Sequence, residues 1–289
     1  MTVSDSTIRT YSGAVAVLTG GASGIGQALG EELARRGAEV ILADRQAGRA
    51  EEVAAGIRRA GGKATAVGID VTDFQAVKAL VEQTARAAGR LDYLFNNAGI
   101  VVAGEARLYE IDDWDQVIDV NLGGVVNGVQ AVYPLMCQQG FGHIVNTASV
   151  AGLMPLGGFL SYSASKHAVV GLSTSLRVEA APRGVRVSVL CPGPVETAIV
   201  GGGKFGKVIN PPPPEVLRRL WEQGRPIAAD VFARAALKAV ARDKAIIVIP
   251  WWWKVFWWAY RLSPALALVW ARWHFLAYNR VVEGSRTRS

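Results

Sequence analysis

Apolar positions along this 289-residue chain repeat with two periods in turn. Short apolar runs rich in β-branched residues lie at Ala14 to Thr19, Glu39 to Ala43, Lys63 to Ile69, Leu91 to Phe95, His143 to Ala148, Val185 to Leu190 and Ala245 to Ile249. Their length and composition predict strands. Between them the apolar residues recur every three or four positions, most clearly at Ile25, Leu29 and Leu33 in the segment Ile25 to Arg36. The same spacing predicts helices over Gln46 to Ala60, Phe74 to Ala88, Asp112 to Gln138 and Tyr162 to Ala181. Strands that are apolar throughout are buried on both faces, and intervening helices supply the crossovers that cover them. The pattern predicts an α/β fold, a doubly wound parallel sheet of about seven strands with helices on both faces. No repeat or linker divides residues 1–250, which read as one domain followed by a helical extension over 251–289. Pro211 to Pro214 sits in a Gly/Pro-rich stretch after the sixth strand, and about residues 195–226 read as a mobile lid.

The first strand ends in Thr19-Gly20-Gly21-Ala22-Ser23-Gly24-Ile25-Gly26 and opens straight into a helix. Glycines there allow a tight turn and let the backbone approach a pyrophosphate, while the helix start offers free N–H groups and a positive dipole end. A glycine cluster alone fits any strand-to-helix turn. The strand before it and the amphipathic helix after it favour a Rossmann-like dinucleotide site. Asp44 closes the second strand, 18 residues beyond Gly26. Its carboxylate can accept hydrogen bonds from ribose hydroxyls and would repel a 2′-phosphate, which favours NAD over NADP. Arg45 next to it could partly accommodate that phosphate, and Asp44 could equally cap the following helix.

These motifs, with those that follow them, resemble the short-chain dehydrogenase/reductase superfamily over about residues 14 to 200. Asn96-Asn97-Ala98-Gly99 is similar to an element that lines the adenosine side, and Asp70-Val71 to the pair that contacts the adenine. Pro192-Gly193, Val195 and Thr197 match the segment beside the nicotinamide. Asn121, Ser149, Tyr162 and Lys166 match the catalytic set. The resemblance implies an NAD-dependent alcohol dehydrogenase or ketoreductase in which Lys166 also holds the nicotinamide ribose. It further implies that Asn121 anchors a water in a proton relay and that the protein assembles as a homodimer or tetramer.

The residue types suit that chemistry. Tyr162 and Lys166 are four apart at a helix start, so both point to one site. A phenol with a pKa of about 10 is a poor base at neutral pH, and a neighbouring ammonium should lower it. Tyr162 could then exchange a proton with an alcohol or carbonyl oxygen while Ser149 steadies the charge developing there. Taken singly, each residue has an ordinary structural reading as a packed tyrosine, a turn serine or a buried asparagine. Their joint order is what favours an enzyme over a non-catalytic NAD-binding module. The cysteines Cys137 and Cys191 and the histidines His143, His167 and His274 have no ligand spacing, so no metal is expected.

Charge and composition add most at the C-terminus. The net charge is +7, and from Trp251 onward six basic residues face only Glu283, leaving +5 in the tail. No basic stripe runs along the rest, which argues against nucleic acid. The first dozen residues lack a signal-peptide pattern, and a cytoplasmic protein is expected. Seven of the nine tryptophans lie between Trp251 and Trp273, in an extension resembling that of retinol- and hydroxysteroid-dehydrogenase-like members. Charges and Pro264 interrupt the apolar run before it reaches the ~18 residues of a spanning helix. Two helices broken at Ser263-Pro264 are expected, either docked peripherally on a membrane or packed on the domain or a partner subunit. The apolar stretch between Ser149 and Tyr162 points to a lipophilic substrate such as a steroid, retinoid or long-chain oxo compound, and so to lipid metabolism.

Overall fold

The structure is a computed structural model that describes residues 7–197 and 206–286. Seven strands form one parallel sheet: β1 (Val15–Thr19), β2 (Glu39–Asp44), β3 (Lys63–Gly68), β4 (Tyr93–Asn96), β6 (Gly142–Thr147), β7 (Val185–Pro192) and β9 (Ile246–Ile249). Their spatial order is β3-β2-β1-β4-β6-β7-β9. The order reverses between β1 and β4, so the carboxyl ends of those two strands flank a crevice where such sheets bind ligands.

The pleat sends alternate side chains to opposite faces. Ala16, Leu18, Val40 and Leu42 pack under helices α1 (Gly24–Arg35), α2 (Ala47–Arg59) and α8 (Ala229–Val240). Val15, Val17, Ile41 and Ala43 face α3 (Phe74–Ala88) and α5 (Gly124–Gln139) on the other side. The expected strands and helices are all present, with ends shifted by a residue or two.

Three features depart from the sequence expectation. The helix expected over Asp112 to Gln138 is broken into α4 (Ile111–Ile118) and α5 by a π-helical turn, Asp119–Gly123, which carries Asn121. The stretch read as a mobile lid is partly regular, although residues 198–205 lie outside the described residues. Within it β8 (Gly206–Val208) pairs in parallel with β5 (Val101–Ala103), and Pro214–Gln223 forms α7. Lys207 fastens this strand to α4 through Asp113 at 3.0 Å. Finally, α6 (Leu160–Ala180) starts before Tyr162 rather than at it. The tail does form two helices split at Ser263, α9 (Trp251–Leu262) and α10 (Pro264–Arg286).

One titratable group is sealed in the sheet. His143 on β6 is buried, and its Nε2 lies 2.8 Å from Ser188 Oγ. That hydroxyl donates its proton to Lys244 O at 2.7 Å, so Nε2 must carry the imidazole hydrogen. Burial pushes the His143 pKa down to about 3. An unfolded histidine titrates at about 6.5. Between those values the unfolded chain binds a proton that the folded one refuses, so stability falls as pH drops through this window. Relative to a His143→Gln variant, the wild type should lose up to about 1.4 kcal/mol per pH unit below about pH 6.5. Urea denaturation of both proteins across this range checks it, and parallel curves would contradict it.

Candidate active site

The crevice starts at the turn after β1. Gly20 and Gly24 have φ of +69° and +54°, which only glycine adopts readily. A Cβ at Gly26 would stand 1.9 Å from Gly20 O, so the first turn of α1 rests directly on the loop. Thr19 Oγ1 accepts hydrogen bonds from Asn97 N (2.9 Å) and Ala98 N (3.1 Å) and donates to Phe95 O at 3.3 Å. Thr19 and Gly26 were both expected to contact a cofactor, but neither lines the cavity. They shape the cradle from behind. Ser23 precedes α1 without capping it through its side chain, so the helix presents its first N–H groups uncapped by that hydroxyl.

A cavity of about 1080 Å³ opens over this turn. At one end Asp44 and Arg45 line it, beside Asp70 and Val71. Asp44 receives Ala22 N at 3.1 Å and Gln46 N at 2.9 Å, which keeps the local turn role and leaves acceptor capacity over. Ser23, Gly24, Ile25, Asn97, Ala98 and Gly99 form the middle of the floor. Pro192, Gly193, Val195 and Thr197 continue it beyond β7.

The catalytic candidates meet halfway along. Ser149 stands after β6 in extended conformation, with Ala151 N donating to its hydroxyl at 3.1 Å. Tyr162 and Lys166 share the face of α6 that looks onto the cavity. Lys166 Nζ donates to Thr147 O at 2.8 Å and lies 5.6 Å from the centre of the Tyr162 ring. Burial pushes the Tyr162 phenol up, with the Ser149 hydroxyl acting against that rise. Burial likewise brings Lys166 down to about 8. The sequence expectation that Lys166 lowers the phenol is therefore reversed, because desolvation disfavours both charged forms and the ammonium is directed to Thr147. Cys191 beside them is fully buried and its thiol is pushed up to about 12, consistent with packing rather than reactivity.

Asn121 is set apart from the other three. It lies behind the cavity with no exposed surface, and both of its amide protons are committed, to Ile100 O (3.0 Å) and Ser165 Oγ (3.2 Å). Its Oδ1 accepts Ile100 N at 2.8 Å. The side chain therefore fixes the segment after β4 against α6. Gly99 permits this: a Cβ there would lie 3.1 Å from Asn121 Oδ1 and 3.4 Å from Lys166 Nζ.

Leu217 and Trp221 of α7, within the stretch read as a lid, line the cavity together with Trp252, Trp253, Phe256 and Phe275 of the tail helices, which the sequence reading did not place there. No periodicity announces such a contact, because it depends on how α9 and α10 fold back over the sheet.

A doubly wound sheet with a serine, tyrosine and lysine gathered in the crevice at its switch point defines the oxidoreductase class built on a dinucleotide fold. The chain belongs to the short-chain dehydrogenase family, whose profile matches residues 14–203. It is 38% identical over 208 residues to an uncharacterised oxidoreductase of Bacillus subtilis, covering 71% of this chain and 81% of that protein. It is 36% identical over 211 residues to a 2,5-dichloro-2,5-cyclohexadiene-1,4-diol dehydrogenase of Sphingobium indicum, covering 73% and 81%. A crystal structure of a Burkholderia phymatum short chain dehydrogenase/reductase in complex with NAD superposes with a TM-score of 0.79 at 32% identity, covering 90% of this chain and 96% of the other.

Proposed function

We propose that the protein transfers a hydride between NAD(H) and a lipophilic secondary alcohol or ketone, with Tyr162 as the proton-transfer group. The observation that carries this reading is the single cavity that joins the glycine turn and Asp44 to Ser149, Tyr162 and Lys166, and then to an aromatic wall. The residues fit a dinucleotide: left-handed glycines, an uncapped helix start and a carboxylate at the end of β2. When bound, NAD(H) supplies or takes up the hydride.

The protein's own groups manage the proton and the charge. Ser149 would hold the substrate oxygen, and Tyr162 would give its phenolic proton to that oxygen in reduction or take the alcohol proton in oxidation. Lys166, which uses one of its three donors on Thr147 O and already lies 5.6 Å from the Tyr162 ring, would direct another to the nicotinamide ribose. Asn121 fixes the frame, and any water it holds would bind its main-chain carbonyl in the π turn, since its side-chain protons are used. A non-catalytic NAD-binding module would give no reason for these side chains to converge on the cavity.

The outer face of the tail supports peripheral association with an anionic lipid surface. Trp251, Leu262, Leu266, Val269 and Trp273 are all at least two-thirds exposed on α9 and α10. Lys254, Arg261, Arg272 and Arg280 accompany them, and residues 251–282 contain no Asp or Glu. Among the described residues no helix is long and apolar enough to cross a membrane. Apolar burial with basic side chains at headgroup level is the physics of an interfacial helix.

Three outcomes test these readings. Tyr162→Phe should lower kcat by at least about a hundredfold on secondary alcohols while NADH binding persists, and near-normal turnover would refute the proton role. In the wild type the raised phenol keeps its proton at neutral pH, so oxidation should accelerate as pH rises while reduction falls off at alkaline pH. For the cofactor, NAD should bind more tightly than NADP, and Asp44→Ala should narrow that gap about tenfold. Equal weakening of both would assign Asp44 to the turn alone. On membranes, the full chain should sediment more with phosphatidylglycerol-containing than with pure phosphatidylcholine vesicles and be partly released by salt. Changing Trp251, Trp258 and Trp273 to Ser should abolish sedimentation, and an unchanged pellet would place the contact elsewhere.

A further inference from the structure

Two glycines of the catalytic frame act as sockets for aromatic rings of the C-terminal helices. A Cβ at Gly193 would lie 2.5 Å from Trp253 Cδ1 and 2.6 Å from its Nε1. A Cβ at Gly157 would lie 2.6 Å from Phe275 Cδ2 and 2.9 Å from Cγ. Neither glycine has a left-handed backbone, unlike Gly158 beside it at φ +80°. Their lack of a side chain is thus required by the rings and not by the main chain.

The positions of the sockets matter. Gly193 directly follows β7, next to Pro192, whose carbonyl lies 3.5 Å from Ser149 Oγ. Gly157 belongs to the loop between Ser149 and Tyr162. Each ring is therefore seated against one of the two segments that flank the catalytic groups, and between them Trp252, Phe256 and Ala271 complete the wall of the cavity. Among the described residues the buried Trp253 Nε1 hydrogen has no hydrogen-bond partner. An orphan donor of this kind is costly, so shape rather than polar pairing seats this indole. Both rings lie beyond residue 203, where the family match ends.

We propose that Trp253 and Phe275 are specificity-determining residues and that α9 and α10 are the substrate-selecting wall of the active site. The proposal rests on reading the cavity as the place where substrate is oxidised or reduced. The substrate class it favours is a secondary alcohol or ketone on a broad apolar body that fills the space between Tyr162 and these rings. Smaller alcohols would react without touching the wall.

The test uses the full-length enzyme with NAD(H) and a panel of secondary alcohols running from propan-2-ol to steroid size. Trp253→Ala and Phe275→Ala should each change the ratio of kcat/KM for bulky over small alcohols by about tenfold or more. The ligand-induced rise in Tm given by the matching ketones should follow the same order, a readout that needs no turnover. A merely structural role would lower all substrates in parallel, and that result would overturn the proposal. The sockets are tested by a double-mutant cycle read as Tm. Gly157→Ala should destabilise the wild type but be nearly neutral in a Phe275→Ala background, and additive effects would overturn the seating. If Tyr162→Phe is inactive yet the panel ratios do not move, the selecting wall fails while the oxidoreductase reading stands. If the wild type turns over no alcohol, that reading fails, and the ketone Tm order still decides whether the wall selects.

Discussion

The candidate site depends on how β1 and β4 part company. Their parallel ladder ends at Leu18 and Phe95, and the chain then diverges to make a crevice. Beyond that point the N–H groups of Asn97 and Ala98 have no strand partner, and a buried orphan donor is expensive. The Thr19 hydroxyl accepts from both while donating to Phe95 O. This one side chain lets the sheet open without unpaired amides and sets the glycine turn beside the segment Asn97 to Gly99. The floor of the cavity, and the seat of Asn121 behind Gly99, follow from it.

Burial governs the chemistry of the crevice as much as geometry does. Tyr162, Lys166 and Cys191 all shift toward their neutral forms. At neutral pH the phenol and the thiol therefore keep their protons, while Lys166, brought down only to about 8, still carries its charge. The ammonium is held between a main-chain carbonyl, Thr147 O at 2.8 Å, and the ring of Tyr162 at 5.6 Å, so the cation and the phenol are neighbours before anything else enters the crevice.

Much of this was legible in the chain. Periods of about two and 3.6 residues are local consequences of backbone geometry, so the seven strands and the helices that cover them could be read directly. The glycine turn, Asp44, Ser149, Tyr162 and Lys166 were readable because each sits at a fixed offset from a strand or helix end. Features that depend on distant partners were not. The π turn carries Asn121, whose side chain bonds Ile100 and Ser165, and nothing in the local spacing of residues 112–138 reports it. The aromatic wall was undecided for a similar reason: the spacing of Trp253 and Phe275 fits a membrane face or a packed one, and only the folded chain chooses between them. The clue lay in Gly157 and Gly193, glycines whose backbone is not left-handed, but it is recognisable only once the backbone conformation is known.

The short pairing of β5 with β8 has a consequence for how this site could change. Val101, Val102 and Ala103 register with Gly206, Lys207 and Val208, and Gly104 N donates to Gly158 O at 2.8 Å. The loops after β4, β6 and β7 are thus sewn together by peptide groups, which every residue carries. The glycines are the exceptions: a Cβ at Gly206 would stand 1.7 Å from Val101 O, one at Gly104 would stand 2.7 Å from Ile209 Cβ, and Gly158 has φ +80°. Side chains along these loops can be exchanged without unpicking the seam. A library that randomises the roof of the pocket while keeping Gly104, Gly158 and Gly206 would vary what the pocket admits and leave the roof attached.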